Sequence, residues 1–351
     1  MKKYSIALAC CFLLIYLLQA CLNQQKPQAS TSSEFQFKEK LSDYAFFKGD
    51  LADLIPNEHL INYDLSSALF TDYAIKDRYI VLPAGKKMKF INNEELDFPD
   101  STMIIKNFSY RNQEDQIIRI ETRLMFKDPA DQQWKVMNYL WNEQQTEALK
   151  HIRGASLAIS LKDDYGKMHQ TNYMVPNTND CKRCHIRDSK LIPIGPKARN
   201  MNYVRTGQTQ NQLAKLAEDG HLSNLPDLQS VEVLPNWLDK ANYSLEQRAR
   251  AYLDINCAHC HRTGGDAFNT GLFLSYNEAD TVRLGYYKGP VSAGSGAGGL
   301  DYDLVPGHPD KSILYYRMNS TEPGTAMPEL ARTLIHQEGV DLIKSWIKEL
   351  K

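Results

Sequence analysis

Met103-Ile104-Ile105-Lys106-Asn107-Phe108, followed after a polar turn by Ile117-Ile118-Arg119-Ile120-Glu121-Thr122-Arg123-Leu124-Met125-Phe126, is the stretch on which the fold turns. Both runs are dense in β-branched and aromatic residues, which fit a pleated, half-buried surface better than a helix. Outward from them the same texture recurs at Arg78 to Pro83, Trp134 to Trp141 and Ala155 to Leu161, with turn clusters Phe98-Pro99-Asp100-Ser101 and Lys127-Asp128-Pro129 between. An antiparallel β-domain over 41–178 is therefore expected. Beyond it the pattern changes to short helices joined by Pro and Gly, the first at Gln210 to Glu218. Ser244 and Gln247 are spaced as a capping box, and Leu245, Ala249, Tyr252 and Leu253 then share one face of a helix that runs to Asn256. Ala293 to Gly299 reads as a flexible surface turn, because no Lys-Ser/Thr of a phosphate loop follows it. Val340, Ile343, Ile347 and Leu350 form the apolar stripe of a terminal helix.

Two short motifs carry the chemistry. Cys181-Lys182-Arg183-Cys184-His185 and Cys257-Ala258-His259-Cys260-His261 both match Cys-x-x-Cys-His, the signature of covalent c-type haem attachment. Two cysteines three positions apart reach the two vinyl groups of one porphyrin, and the next histidine lies under the iron as its proximal ligand. The expectation is two haem c groups, with Cys181, Cys184, Cys257 and Cys260 as attachment points and His185 and His261 as iron ligands. A four-cysteine zinc ribbon fits the spacing poorly, since 72 residues separate Cys184 from Cys257, against about 15–20 in that motif. A thioredoxin-like pair needs a βαβ setting that neither motif has.

From about 244 to 351 the chain resembles a class I cytochrome c domain: a helix enters the motif, a helix with Ile313 and Leu314 follows Val305 to Asp310, then Ala326-Met327-Pro328 precedes the terminal helix. The resemblance implies that Met327 is the distal sulfur ligand of the second haem, with Met318 packing inside the preceding helix. The long segment from Gly264 to Leu304 departs from that family. No leading helix precedes Cys181, and the strand-rich 98–106 region looks like the cytochrome P460 and cytochrome c′-β group, which makes Lys106 a candidate neighbour of the first haem. Met174, Met201, His169 and His221 are the other available sixth ligands, each read as a surface or packing residue. Over its length the chain is similar to an uncharacterised family of bacterial di-haem c-type cytochromes, some found beside a parallel β-helix protein; Asn256 to His261, Pro306 to Ser312 and Ala326 to Leu330 carry the likeness. The fold class expected is thus α+β: the antiparallel β-domain, a first haem segment at 179–243, and an α-helical cytochrome c-like haem region at 244–351.

The chain opens on Met1-Lys2-Lys3 and an apolar run from Tyr4 to Leu18, too short to span a bilayer and typical of an export signal over 1–20. It ends in Leu18-Gln19-Ala20-Cys21, which resembles a lipobox and implies lipidation of Cys21, with Leu22 to Ser33 in a polar tether over 21–40. Leu22 beside the cysteine points to the outer membrane, facing the periplasm. Loss of Lys2 and Lys3 leaves 39 basic against 42 acidic residues, a charge of −3 that gives no attraction to nucleic acid. The expected role is electron transfer in the cell envelope with redox partner proteins, among which a parallel β-helix protein is a candidate. A di-haem peroxidase-like enzyme, or a gas or small-ligand binder with an open site at the first haem, is the alternative.

Overall fold

The computed structural model describes residues 35–351. The export signal, Cys21 and most of the tether lie outside the described residues. Residues 37–351 form one compact unit, so the segments on either side of 178 and 243 share their packing.

That unit is built on an eight-stranded antiparallel sheet. Its strands are β1 (Leu60–Asn62), β2 (Ile75–Val81), β3 (Met103–Arg111), β4 (Ile117–Lys127), β5 (Trp134–Trp141), β6 (Ala148–His151), β7 (Ala155–Lys162) and β8 (Met168–Val175). The order runs β6-β5-β4-β3; β3 then pairs with β2, which carries β1, and at Arg111 with β7, which carries β8. The opening stretch of sequence becomes the central hairpin, β3 on β4, with a bulge between Phe108 and Ser109. Apolar residues stand on both faces of these central strands because both faces are covered. Ile80, Ile104, Met125 and Val136 pack with Ala198, Met201, Leu213, Leu216 and Val231 from the segment beyond the sheet. On the opposite side Tyr79 meets Phe47 edge-on at 5.5 Å.

The expected α-helical cytochrome c-like region is not found, and that part of the fold class is corrected. The β-sheet dominates, and the helices among the described residues are α1 (Thr178–His185), α2 (Ala198–Met201), α3 (Gln212–Glu218), α4 (Leu245–Asn256), α5 (Ile313–Met318) and α6 (Gln337–Glu349), the longest of 13 residues. Between Asn256 and Ile313 the chain makes no α-helix, only isolated 3-10 turns. Glycine and proline interrupt that stretch too often for intrahelical hydrogen bonding to propagate. Its apolar residues Leu272, Leu274, Leu284 and Leu304 are buried against α4 and α6 from irregular backbone instead. The 293–299 segment is one such turn. Gly296 is buried there, and a Cβ would stand 2.7 Å from the Gly324 carbonyl oxygen, so this turn is held in contact with the body of the molecule.

Candidate functional site: two Cys-x-x-Cys-His motifs around one cavity

Each motif rides on a capped helix. Asn177 accepts from the Asn179 and Asp180 amides while Asp180 returns a bond to the Asn177 amide, closing a capping box on α1, whose last turn is the first motif. Ser244 and Gln247 close the anticipated box on α4, which delivers Cys257 at its C-terminal end. The Cys257 and Ala258 amides both donate to the Leu253 carbonyl, at 2.9 and 3.0 Å, so the motif follows from the last helical turn.

The two motif histidines are held alike. His185 Nδ1 meets the Ile192 carbonyl at 2.8 Å and His261 Nδ1 meets the Leu272 carbonyl at 3.3 Å. A backbone carbonyl on Nδ1 fixes the tautomer and leaves Nε2 as a bare lone pair, the arrangement that metal-binding imidazoles use. Enclosure pushes both pKa values down to about 4, so both rings are uncharged at neutral pH.

Cys184, Cys257, Cys260 and His261 line a cavity of about 320 Å³, in the range of small-molecule and cofactor sites. Met318, Met327, Leu272, Leu274, Ile313 and Leu314 contribute to its apolar lining, and Arg317 and Asp303 to its polar one. Cys181 and His185 do not line it; Cys181 packs against the sheet-side core with Leu191. The structure also brings the motifs together in a way their spacing argued against. Ligand atoms of Cys184, His259 and Cys260 all lie within 4.8 Å of one another. Cys260 and His259 hold the Cys184 thiol well below its ordinary pKa, and Cys184 in turn raises that of Cys260, so Cys184 is the more readily ionised of the two. Burial raises the other two thiols, Cys181 to about 11 and Cys257 to about 12. None of the four cysteines is in a disulfide.

Met327 lies in the cavity wall on a stretch without regular structure, so its position depends on long-range contacts. The Arg332 guanidinium donates to the Met327 carbonyl at 2.8 Å and to the Ser320 carbonyl at 2.8 Å. Asp72, from the far side of the sequence, accepts from the Thr333 and Leu334 amides, both at 2.8 Å, and from the Thr333 hydroxyl at 2.8 Å. Met318 is buried in the core between α4 and α6, as anticipated, and also touches the cavity. Of the other candidate ligands, Met174 is exposed, Met201 is fully buried core, and His169 bonds Asp163 at 2.7 Å. None of these three lines the cavity.

A buried ion cluster went unseen in the sequence. Asp254, on the last turn of α4, accepts from Arg199 at 2.7 Å and from Lys197 at 2.9 Å, and takes the Tyr276 amide at 3.0 Å. Arg199 and Lys197 also meet Glu94, and Arg199 reaches Glu232 at 3.6 Å. This cluster ties α2 to the helix that presents the second motif. Only its end members carry a local signal, a basic pair in a Pro-Lys-Ala-Arg stretch and an acid in an otherwise apolar helix turn. Against known proteins, the chain matches no family model, no curated protein and no solved structure.

Proposed function

We propose that this chain is an exported di-haem c-type cytochrome that transfers electrons in the cell envelope. The observation that carries the reading is the paired treatment of His185 and His261: each follows a Cys-x-x-Cys pair, each is uncharged, and each has Nδ1 occupied by a backbone carbonyl with Nε2 left to bind iron. Cys181 and Cys184 would hold one haem with His185, and Cys257 and Cys260 the other with His261. Covalently held haem supplies a one-electron couple whose potential follows its axial ligands and its surroundings. The chain's own residues do the rest. The apolar wall of Leu272, Leu274, Ile313 and Leu314 would shield the haem face from water at the second site, and Met318 and Met327 offer thioether sulfur on that wall. Arg332 and Asp72 hold the Met327 segment in place. Lipidation at Cys21 and the outer-membrane address belong to this proposal. No helix among the described residues is long and apolar enough to cross a membrane.

A second reading is favoured by the convergence of Cys184, His259 and Cys260. Two soft thiolates and an imidazole suit a zinc-like ion. The two readings exclude each other chemically, because thioether formation at Cys184 and Cys260 removes the thiolates. Full-length protein made with a haem-attachment system and denatured in acid is the test. Two covalent haems per chain by pyridine haemochrome are expected, with less than one equivalent of zinc. Fewer than two haems with one equivalent of zinc released by a thiol reagent would establish the metal centre instead.

A further inference from the structure

Cross-strand register places three cations side by side on the sheet. Arg78 on β2 faces Lys106 on β3, and Lys106 faces Arg123 on β4. Asn138 on β5 continues the row opposite Arg123. Like charges directly opposed on neighbouring strands destabilise a sheet. Arg78 is enclosed here, its side chain only 5% exposed, while Lys106 and Arg123 are half-buried. Some of the charge is met within the chain: Asp64 holds Arg78 at 2.8 Å, and Glu121 holds Arg123. Lys76 lies beside the row and donates to the Ala74 carbonyl at 3.0 Å. Neither Lys106 nor Lys76 forms an ion pair among the described residues. The ammonium of Lys106 stands 4.8 Å from the centre of the Phe108 ring, and Arg123 covers the same ring at 4.2 Å. Arg78 Nε, Arg123 Nε and Asn138 Oδ1 are buried without a hydrogen-bond partner. Burial and the neighbouring Arg78, Lys76 and Arg123 push Lys106 well below its ordinary pKa. Lys106 thus has no carboxylate bonded to it, and the guanidinium Nε atoms of Arg78 and Arg123 on either side of it have no acceptor, so the row lacks an anion that the chain itself supplies.

The row borders the first motif. Ile80, Ile104, Met125 and Val136, one step along the same strands and on the same face, form the core against which Cys181 packs. Asn138 donates to the Pro176 carbonyl at 2.7 Å, just ahead of α1. The Lys106 charge acts on His185 and the Arg123 charge on Cys181. We propose that the row Arg78, Lys106 and Arg123 is the seat of a carboxylate, and that the carboxylate is a propionate of the haem held by Cys181, Cys184 and His185. The second half of that statement rests on the function proposed above; the first half does not.

The test uses full-length, haem-loaded protein with Lys106→Met, Lys76→Met and Lys106→Arg, reading haem content, the two midpoint potentials and sodium acetate binding by calorimetry. Removing a cation beside one haem favours its ferric form, so Lys106→Met is expected to lower one midpoint potential and leave the other in place. Lys76→Met should lower the same potential by less, and Lys106→Arg should restore it. If no potential moves but wild-type protein binds acetate and Lys106→Met weakens that binding at least tenfold, the seat takes a free carboxylate. Two haems per chain with neither potentials nor acetate binding altered in Lys106→Met and Lys76→Met overturns the proposal. Fewer than two haems in the wild-type protein defeats the cytochrome reading alone, and acetate binding then decides the seat by itself.

Discussion

Met327 and Asp254 are two residues whose removal should be felt in opposite ways, one in the chemistry and one in the fold. Met327 offers sulfur in the wall of the cavity that His261 shares. A thioether on iron raises the reduction potential relative to a nitrogen or an open position. On the proposed cytochrome reading, Met327→Ala is therefore expected to lower one midpoint potential, abolish the ferric sulfur-to-iron charge-transfer band and admit carbon monoxide at the haem of His261 only. An unchanged band would pass the ligand role to Met318, which lines the same cavity. Asp254 is wholly buried with Lys197 and Arg199. Its replacement by Ala leaves Lys197 and Arg199 only the half-exposed Glu94 and Glu232 as partners, at a cost of up to about 3 kcal/mol, to be read as a fall in the denaturation midpoint. Burial disfavours its charged form, but Lys197 and Arg199 outweigh that and keep its pKa below the ordinary value. The stability it supplies is present above about pH 4, the ordinary carboxylate range, and is lost as pH falls through the depressed folded value. Melts between pH 7 and 3 should accordingly show a shallower acid decline in Asp254→Ala than in the wild-type chain.

The elements that position the motifs were legible to different degrees. The capping box of Ser244 and Gln247 is a local device, four residues long, and it stands in the structure as the sequence implied. The equivalent box at Asn177 and Asp180 was passed over, because the residues after it, Cys-Lys-Arg-Cys-His, lack an apolar face with helical spacing. An α1 of 8 residues has little cooperativity of its own and leans on its cap. Asn177→Ala should cost about 1 kcal/mol and loosen the first motif, read as faster amide exchange over α1 with α4 unaffected. Strand β8, Met168–Val175, was missed for a related reason. Its centre, His169-Gln170-Thr171-Asn172, is polar, and its burial alternates between exposed and half-buried over most of its length. Pairing with β7 along its whole length makes it a strand; its own propensity does not.

At the scale of the whole molecule, the covered sheet and the irregular segments beyond it form a single packed body. The helical region expected after 178 gave way because two cores draw on both sides of that boundary: Ala198 and Leu213 join the strands in one, and Leu334 reaches the sheet in another. A chain whose turn-rich stretches can bury Leu272, Leu284 and Leu304 from irregular backbone has no need of further helices. Attachment to a membrane is a separate property that concerns residues outside those described. If Cys21 carries lipid, wild-type protein should fractionate with membranes and Cys21→Ser should be released into the soluble envelope fraction. Membrane association that survives Cys21→Ser would place the anchor elsewhere.

Sequence alone determined what depends on neighbours a few residues away: the central strands, the capped helix at Ser244, the terminal helix, and the two motifs whose spacing is itself the chemistry. Tertiary structure decided everything that joins distant segments. It set Cys184 beside His259 and Cys260, aligned Arg78, Lys106 and Arg123 across three strands, and closed Asp254 onto Lys197 and Arg199. The physical reason is the range of the forces involved. Propensity and capping act within a turn or two of chain, whereas strand order, register and the enclosure of a charge follow from the summed burial of the whole unit. That sum has no local trace in the residues it brings together.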